Sequence, residues 1–347
     1  MNARRYLFAF FALVLPFMAL HVIGMLWYLA DPHAFYRREW EFFLDIGDHV
    51  PGNNKWVGNH TPDLAQKHFW LYQDRRHVEV TTAEDGERVS PPAERYDIVV
   101  TGDSQIYGSG FNDAETFPWQ LAEALGRPVL NVSRSDMYNA LNHPRAGEAG
   151  TVIFGRTERL ITPRGLRDAV GEANARYRPQ AVPDKTLLQR LPSIPPRRYS
   201  LIPIAWARLG AMVRDTRLIL AGDDERPYLF LPHTMHPSEF DETVSLIAEI
   251  ARKVESRGKR FVFMPIPAKQ TLYARPDPFT RDFLGKLVPA LEARGVEVID
   301  LLPALEATKG RKNGVPDVYQ PYDTHWSPYG AAIAAEVAAE HLRSAAP

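Results

Sequence analysis

The stretch that decides the fold is Tyr96-Asp97-Ile98-Val99-Val100-Thr101-Gly102-Asp103-Ser104. Its β-branched run is typical of a buried strand, and the Gly, Asp and Ser that follow it favour a turn. Ligands of open parallel sheets bind outside the carboxyl ends of the strands. We therefore expect the hydroxyl of Ser104 to lie at the functional edge of a sheet.

Strand and helix signals alternate from this point to the end of the chain. Strands are predicted at 129–132, 151–154, 261–266 and 296–300, and helices at 116–125, 237–257, 279–294 and 328–342. This alternation predicts an α/β fold with a parallel sheet covered on both faces. A Pro- and Arg-rich stretch at about 164–231 interrupts it and is too long for a simple connection. We expect an insertion there, with helices of its own near the active-site mouth or a partner.

A second motif, Asp323-Thr324-His325-Trp326, precedes the last predicted helix. A serine hydroxyl is a weak nucleophile, so a neighbouring imidazole must take its proton, and a carboxylate must hold that imidazole in the correct tautomer. The pattern predicts Ser104 as nucleophile, His325 as base and Asp323 as the orienting carboxylate.

A tight turn would explain Gly102-Asp103-Ser104 if that tripeptide stood alone. Its combination with Asp323-Thr324-His325-Trp326 favours catalysis. The order Ser, Asp, His matches that of α/β-hydrolases, but the Gly-x-Ser-x-Gly elbow of that fold is absent around Ser104. A different serine-hydrolase scaffold is implied. Ser109, in Gly108-Ser109-Gly110, is the second candidate nucleophile, although a flexible active-site rim is the favoured interpretation there.

These motifs resemble those of the SGNH (GDSL-like) hydrolase superfamily, in the branch of bacterial polysaccharide O-acetyltransferases related to the alginate acetylation proteins. Gly102-Asp103-Ser104 is similar to the first block and Asp323-Thr324-His325-Trp326 to the D-x-H-W form of the last block. Pro265-Ile266-Pro267-Ala268-Lys269 and Glu158-Arg159 are similar to strand-end motifs of this branch. The resemblance covers residues 95 to 343. It implies a three-layer α/β/α sandwich with a flavodoxin-like central sheet.

The chain also departs from the family pattern. The serine block comes first here, whereas in the alginate members the D-x-H-W block comes first, which argues against naming alginate as the acceptor. Asp136 stands where the family has an oxyanion-binding glycine, and Thr157 stands where it has an asparagine. The predicted oxyanion hole therefore consists of the backbone amides of Ser104 and Asp136, together with Thr157.

Composition and charge exclude several function classes. The 347 residues include no cysteine, which excludes disulfides, thiolate catalysis and Cys-based zinc sites. A net charge of -1 offers no electrostatic footprint for nucleic acid. His233 and His236 lack a third ligand at metal spacing, so no metal and no cofactor are expected.

The N-terminus predicts a membrane anchor. Arg4 and Arg5 precede an apolar run from Tyr6 to Ala30, which is long enough to span a bilayer. The bulky residues Trp27-Tyr28 stand where signal peptidase requires small ones, so the helix is expected to remain uncleaved. The positive-inside rule then leaves a cytoplasmic stub at 1–5 and places the rest outside the bacterial inner membrane, in the periplasm.

An aromatic-rich juxtamembrane segment at 31–94 separates the anchor at 6–30 from the catalytic domain at 95–343. The segment shows no sustained period, and we expect it to pack on the domain or to lie near the bilayer surface. Within the domain, Lys269, Trp326 and Arg159 are candidate substrate contacts. For each of them a structural role is an open alternative: a solvated strand end, a core aromatic residue, or a salt bridge with Glu158.

The sequence predicts a membrane-anchored periplasmic enzyme that moves acetyl groups, through an acetyl-serine, onto hydroxyls of an exopolysaccharide or cell-wall glycan. The resemblance implies a membrane-bound O-acyltransferase as the partner that supplies acetyl groups. Two alternatives stay open: an acetylesterase that uses water, and a non-catalytic scaffold that binds polysaccharide.

Overall fold

A computed structural model describes residues 3–46, 54–63, 75–133, 136–171, 200–220, 236–273, 278–312, 315–320 and 322–344. The centre is a five-stranded parallel sheet. Its strands, in chain order, are β3 (Ile98–Gly102), β4 (Val129–Asn131), β5 (Thr151–Thr157), β6 (Arg260–Ile266) and β7 (Glu297–Val298). They lie in the spatial order β4-β3-β5-β6-β7.

This order is the 2-1-3-4-5 arrangement of flavodoxin-like folds, in which the chain reverses direction across the sheet after the second strand. The predicted α/β class, parallel sheet and flavodoxin-like order are confirmed. The reversal leaves a crevice at the carboxyl ends of β3 and β5. Ser104 follows β3 directly.

Helices cover both faces of the sheet and bury two apolar cores. On one face, α4 (Phe117–Leu125) and the C-terminal α12 (Pro328–Ser344) pack against residues such as Ile98, Ile153 and Met264. The other face is covered by α6 (Pro163–Val170), α8 (Phe240–Glu255) and α10 (Pro278–Glu292). Short helices complete the domain at α3 (Ser104–Tyr107), α5 (Met137–Leu141), α9 (Lys269–Tyr273) and α11 (Leu302–Thr308), with a small hairpin of β8 (Arg311–Lys312) and β9 (Val315–Pro316).

The segment before the domain has more regular structure than its sequence suggested. The helix α1 (Ala3–Ala30) is followed by α2 (Glu39–Ile46) and by an antiparallel hairpin of β1 (Lys55–His60) and β2 (Arg76–Thr81). An aromatic cluster joins these elements to α3 through Tyr28, Tyr36, Phe42, Phe43, Trp56, Val78, Val80 and Tyr107. The end of α1 is thus packed into the folded body of the protein.

The stretch at 164–231 does contain a helix of its own, α7 (Leu201–Leu220), which lies along α1. Nδ1 of His21 on α1 is 2.8 Å from Oγ of Ser200 at the start of α7. Much of the stretch lies outside the described residues, as does His233. Of the described helices, α1 is the one long and apolar enough to cross a membrane by length and composition.

Candidate active site

The turn from β3 into α3 positions Ser104. A Cβ on Gly102 would lie 2.2 Å from the carbonyl oxygen of Gly155 on β5, so only glycine fits this close approach. Asp103 caps α3, accepting a hydrogen bond from the amide of Gln105 at 3.0 Å, and its other carboxylate oxygen accepts one from the amide of Thr157 at 2.8 Å. Asp103 thereby ties the ends of β3 and β5 together, while the side chain of Ser104 is exposed.

The residue after the nucleophile holds the loop that carries the base. The side-chain amide of Gln105 donates to the carbonyl of Thr324 at 2.9 Å and accepts from the amide of Trp326 at 3.0 Å. Trp326 is fully buried and packs on Phe117, with 5.9 Å between the ring centroids. These contacts determine where His325 stands relative to Ser104.

Ser104, His325 and Asp323 form a continuous hydrogen-bonded line. Nε2 of His325 is 2.7 Å from Oγ of Ser104, and Nδ1 of His325 is 2.5 Å from Oδ1 of Asp323. The backbone amide of His325 also donates to Oδ1 of Asp323 at 3.1 Å. Asp323 is fully buried and His325 nearly so, which limits the motion of the base. The structure thus brings the three residues predicted from the two motifs into the geometry of a serine-hydrolase triad.

The electrostatics suit the same assignment. Burial opposes ionisation of Asp323, but the charges and hydrogen bonds of His325 and His60 outweigh it and hold the pKa of this carboxyl well below its usual range. Burial likewise disfavours a charged His325, yet the Asp323 carboxylate raises the pKa of His325 above its ordinary value. Asp323 is therefore ionised, and its charge favours the imidazolium form of His325.

Sequence reasoning missed a second layer of polar residues, all from the juxtamembrane segment. Oδ2 of Asp323 accepts from the amide of Asp63 at 3.1 Å and lies 3.3 Å from Nε2 of His60. Asp63 in turn accepts from the amide and hydroxyl of Thr324, at 2.9 and 2.6 Å. These residues carry no motif, and only a contact between segments more than 250 residues apart reveals them.

Ser109 does not form the flexible rim expected from its glycine neighbours. It is 4% exposed, and its hydroxyl donates to Oε1 of Glu39 at 2.6 Å. The adjacent Gly110 lies against the ring of His60. The loop is packed under the juxtamembrane segment, so Ser109 is a buried anchor.

The residues predicted for the oxyanion hole have separate local roles. Ser104 is the first residue of α3, where backbone amides have no acceptor within the helix. The amide of Thr157 is occupied by Asp103, which leaves its buried hydroxyl as the available donor. Asp136 caps α5 through its carboxylate, which accepts from the amide of Asn139 at 2.7 Å. Their participation in an oxyanion hole stays a prediction.

The predicted substrate contacts also have structural partners. The ammonium group of Lys269 is buried and donates to the carbonyls of Gln320 at 2.8 Å and Asp323 at 3.1 Å. It thus braces the loop that carries the triad Asp and His, and it is not a solvated strand-end lysine. Trp326 is a core residue, as described above. Direct substrate contact by Lys269, Trp326 or Arg159 stays a prediction.

Glu158 links two of the segments that carried the family resemblance. Its Oε2 accepts from the amide of Ala268 at 2.8 Å and from the hydroxyl of Thr271 at 2.6 Å. Burial raises the pKa of Glu158 to about 7, against the lowering effect of these two hydrogen bonds. Glu158 therefore holds the Pro265–Lys269 segment, and Lys269 at the end of that segment contacts the loop that carries Asp323.

Among the described residues, the group that could hold a metal ion is Asp63, Asp323 and His325, whose candidate ligand atoms lie within 4.8 Å of one another. All of these atoms already have hydrogen-bond partners in the triad network. Hydrogen bonding thus accounts for the group. His236 caps a short turn at Pro237–Glu239 and is exposed.

Comparison with known proteins adds independent information. The family model described as "SGNH hydrolase-like domain, acetyltransferase AlgX" matches residues 222–347, a segment that includes Asp323 and His325 but not Ser104. Two curated relatives, from Pseudomonas aeruginosa and Pseudomonas putida, are both named "Probable alginate O-acetylase AlgJ". Each is 30% identical, over 130 and 112 residues respectively.

The match covers 33% of this chain and 31% of the P. aeruginosa protein, and 28% of this chain and 26% of the P. putida protein. The chain thus spans less than a third of either relative. A lipase/acylhydrolase from Enterococcus faecalis is a structural neighbour with 11% identity and a TM-score of 0.38, covering 72% of this chain and 96% of that one. The family match and the two relatives show that this chain resembles the SGNH hydrolase superfamily, in its AlgX- and AlgJ-like branch, over about a third of its length.

Proposed function

We propose that this protein is a membrane-anchored O-acetyltransferase that moves acetyl groups, through an acetyl-Ser104 intermediate, onto hydroxyls of an exopolysaccharide or cell-wall glycan. The observation that carries the proposal is the line from Ser104 through His325 to Asp323 at the carboxyl edge of the sheet. The acetyltransferase names of the family model and relatives support the group transferred.

The geometry supports a two-step reaction. Oγ of Ser104 attacks the acetyl carbonyl carbon while Nε2 of His325 takes the hydroxyl proton, and Asp323 stabilises the resulting imidazolium. His325 then protonates the leaving group of the donor as acetyl-Ser104 forms. In the second step a sugar hydroxyl gives its proton to His325 and attacks acetyl-Ser104. This attack forms a tetrahedral intermediate. When it collapses, His325 returns the proton to Oγ of Ser104 and the acetylated sugar is released.

Two structural features support membrane anchoring. The helix α1 presents a largely exposed apolar surface, and its last turn contributes Tyr28 to the aromatic cluster beside the domain. Cleavage after Ala30 would remove Tyr28 from that cluster, which argues for a retained anchor. α7, beside α1, exposes Trp206, Leu209 and Met212, a surface suited to lipid.

The proposal places the catalytic domain in the periplasm, on the opposite side of the membrane from the pool of acetyl-coenzyme A. An acetyl group must then cross the bilayer to reach Ser104. A membrane-bound O-acyltransferase is the partner we propose for this step, and the retained α1 would keep the two proteins in one membrane.

The test uses the full chain in detergent or lipid nanodiscs, with a chromogenic acetyl ester as donor and a panel of oligosaccharides as acceptors. We expect mass spectrometry to find acetyl on Ser104 and on a sugar. Both products should be lost in Ser104→Ala and kept in Ser256→Ala, a control at an exposed serine on the far end of α8.

The other outcomes separate the alternatives. Release of acetate at a rate that no acceptor changes would identify an acetylesterase. Polysaccharide acetylation in cells that survives Ser104→Ala, with that variant folded and in the membrane, would identify a scaffold and contradict the proposal.

A further inference from the structure

The hydrogen-bonded line of the triad does not end at Asp323. Beyond Oδ2 of Asp323 lies Nε2 of His60, at 3.3 Å, and Nδ1 of His60 is 3.0 Å from Oε2 of Glu39. Oε1 of Glu39 accepts from Ser109 at 2.6 Å. The line therefore alternates hydroxyl, imidazole, carboxylate, imidazole, carboxylate and hydroxyl.

Both added residues are sealed from solvent. His60 and Glu39 are 0% exposed, as is Asp323. A buried charge is costly unless a partner of opposite charge and hydrogen bonds compensate it. His60 meets this condition on both ring nitrogens, because each one points at a carboxylate oxygen. Both nitrogens can donate only when the ring is an imidazolium.

We propose that His60, held by Glu39, is a positioning residue for catalysis: as a buried imidazolium it holds Asp323 in place and lowers the basicity of His325. The inference rests on the proposed function, since it concerns how the same triad works. It assigns a role in the reaction to the juxtamembrane segment, which supplies His60 from the end of β1 and Glu39 from the start of α2.

The charge of His60 acts on His325 through Asp323. A carboxylate that faces one imidazole stabilises the imidazolium form fully, whereas a carboxylate shared with a second cation stabilises it less. With His60 charged, His325 gives up its proton more readily and is available as a base at lower pH. The raised pKa of His60, about 9, agrees with a charged ring at neutral pH; burial opposes this shift, and the Glu39 charge and the hydrogen bond to Asp323 outweigh it.

Other charged groups around His60 are compatible with this role. Arg38 precedes Glu39 and donates to the carbonyl of Thr61 at 3.0 Å. Arg76 pairs with His60 across the hairpin and bonds Glu115 and the carbonyl of Gly110. Asp63 and His325 lie on the Asp323 side. Among the described side chains that hydrogen-bond to His60, only Glu39 and Asp323 are acceptors.

The test changes the charge while retaining a neutral donor to Asp323. His60→Gln places an amide N–H near the position of Nε2. Glu39→Gln leaves the ring in place but removes the carboxylate that favours its second proton. His77→Gln is the matched control, because His77 lies on the same hairpin, is exposed, and contacts only Asn59 among the hydrogen bonds described.

The measurement is kcat/KM for acetyl-ester cleavage by the full chain across pH 5 to 10, with the wild type and Ser104→Ala in parallel. We expect the acid limb to move up by about one pH unit in His60→Gln and in Glu39→Gln, so that activity below the limb falls about tenfold and recovers at alkaline pH. His77→Gln should keep the wild-type profile.

A loss of activity by the same factor at every pH, with the limb unmoved, would show a merely structural contact and overturn the inference. If one variant fails to fold, the other approaches the same ion pair from its opposite end and decides the question. Activity that survives in Ser104→Ala would overturn the proposed function instead, so the two failures are distinguishable.

Discussion

Individual side chains in this site are arranged so that each buried charge meets an opposite charge or hydrogen-bonding backbone groups. Asp323 has His325 on one oxygen and His60 and the amide of Asp63 on the other. Lys269 adds a buried ammonium group that donates to the carbonyl of Asp323 itself. The triad therefore depends on a surrounding network in which removal of one member leaves another buried group without compensation.

The Glu39–His60 pair predicts how stability depends on pH. The pKa of His60 is raised from 6.5 to about 9, so its contribution to stability is complete below pH 6.5 and is lost as pH rises through 9. One pKa unit corresponds to about 1.4 kcal/mol, so we expect this loss of stability to be about 3 kcal/mol at most.

Thermal unfolding of the full chain between pH 6 and 10 checks this expectation. Wild type should lose stability across that range, and His60→Gln should lose markedly less, since it has no proton to release. If the stability of the two proteins fell equally with pH, folding would not raise the pKa of His60, and the expectation would be wrong.

Secondary structure elements position the nucleophile through close backbone contact. The β3–α3 turn approaches β5 so closely that a Cβ on Gly102 would overlap the Gly155 carbonyl, and a Cβ on Gly155 would overlap Ile106 at 2.5 Å. In the same turn, the carboxylate of Asp103 accepts a hydrogen bond from the backbone amide of Thr157. Two adjacent strands and one short helix thus position Ser104 independently of the loop that carries His325.

This close contact makes Gly102→Ala a test of the turn. The added methyl meets backbone, which cannot rotate away, so β3 and β5 must separate at their carboxyl ends. We expect a loss of roughly 1–3 kcal/mol in the free energy of unfolding, typical of overpacking. Acetyl-ester cleavage should fall further than stability alone explains.

Denaturant unfolding and the acetyl-ester assay together measure both effects. Gly150→Ala is the matched control, because a Cβ there meets nothing within 4 Å just before β5 begins. Equal behaviour of the two variants would argue against the close approach at Gly102.

Taken as a whole, the protein joins its N-terminal segment to its catalytic domain through the active site. The aromatic cluster runs from Tyr28 at the end of α1 to Tyr107 on α3. The polar network runs from Glu39 to Ser104 beside it. The juxtamembrane segment therefore packs on the domain, which is one of the two placements that its sequence suggested, and its residues contact Asp323 and Thr324.

Truncation tests this dependence. A fragment of residues 27–347 retains the aromatic cluster, Glu39, His60 and Asp63. A fragment of residues 95–347 contains the whole region of family resemblance, but it lacks Glu39, His60 and Asp63 and keeps only Tyr107 of the cluster. We expect the longer fragment to react at Ser104 with a serine-directed fluorophosphonate probe at close to the full-length rate. The shorter one should react at least tenfold more slowly, because Asp323 loses the His60 and Asp63 donors. Equal labelling of both fragments would contradict this expectation.

Local patterns in the sequence were sufficient for the parallel α/β class, the strand that presents Ser104, and the motif that carries Asp323 and His325. Strand and helix periods, turn residues and the residue types of a triad are local properties, and each can be recognised within a few positions. The triad assignment then predicted that these two distant motifs would meet, and the structure brings them together at the carboxyl edge of the sheet.

Only the tertiary structure decided the rest of the site. Glu39, His60 and Asp63 lie in a segment without a period or a motif. They join the hydrogen-bond network of Asp323 because this segment packs against the loop that carries Asp323 and Thr324. Ser109 was expected at a flexible rim, and Lys269 was expected to contact substrate or to lie at a solvated strand end. Ser109 is instead buried against Glu39, and Lys269 against the carbonyls of Gln320 and Asp323. Burial and the charge of neighbouring groups decide how titratable groups ionise. Both depend on contacts between residues far apart in the chain, which no local pattern encodes.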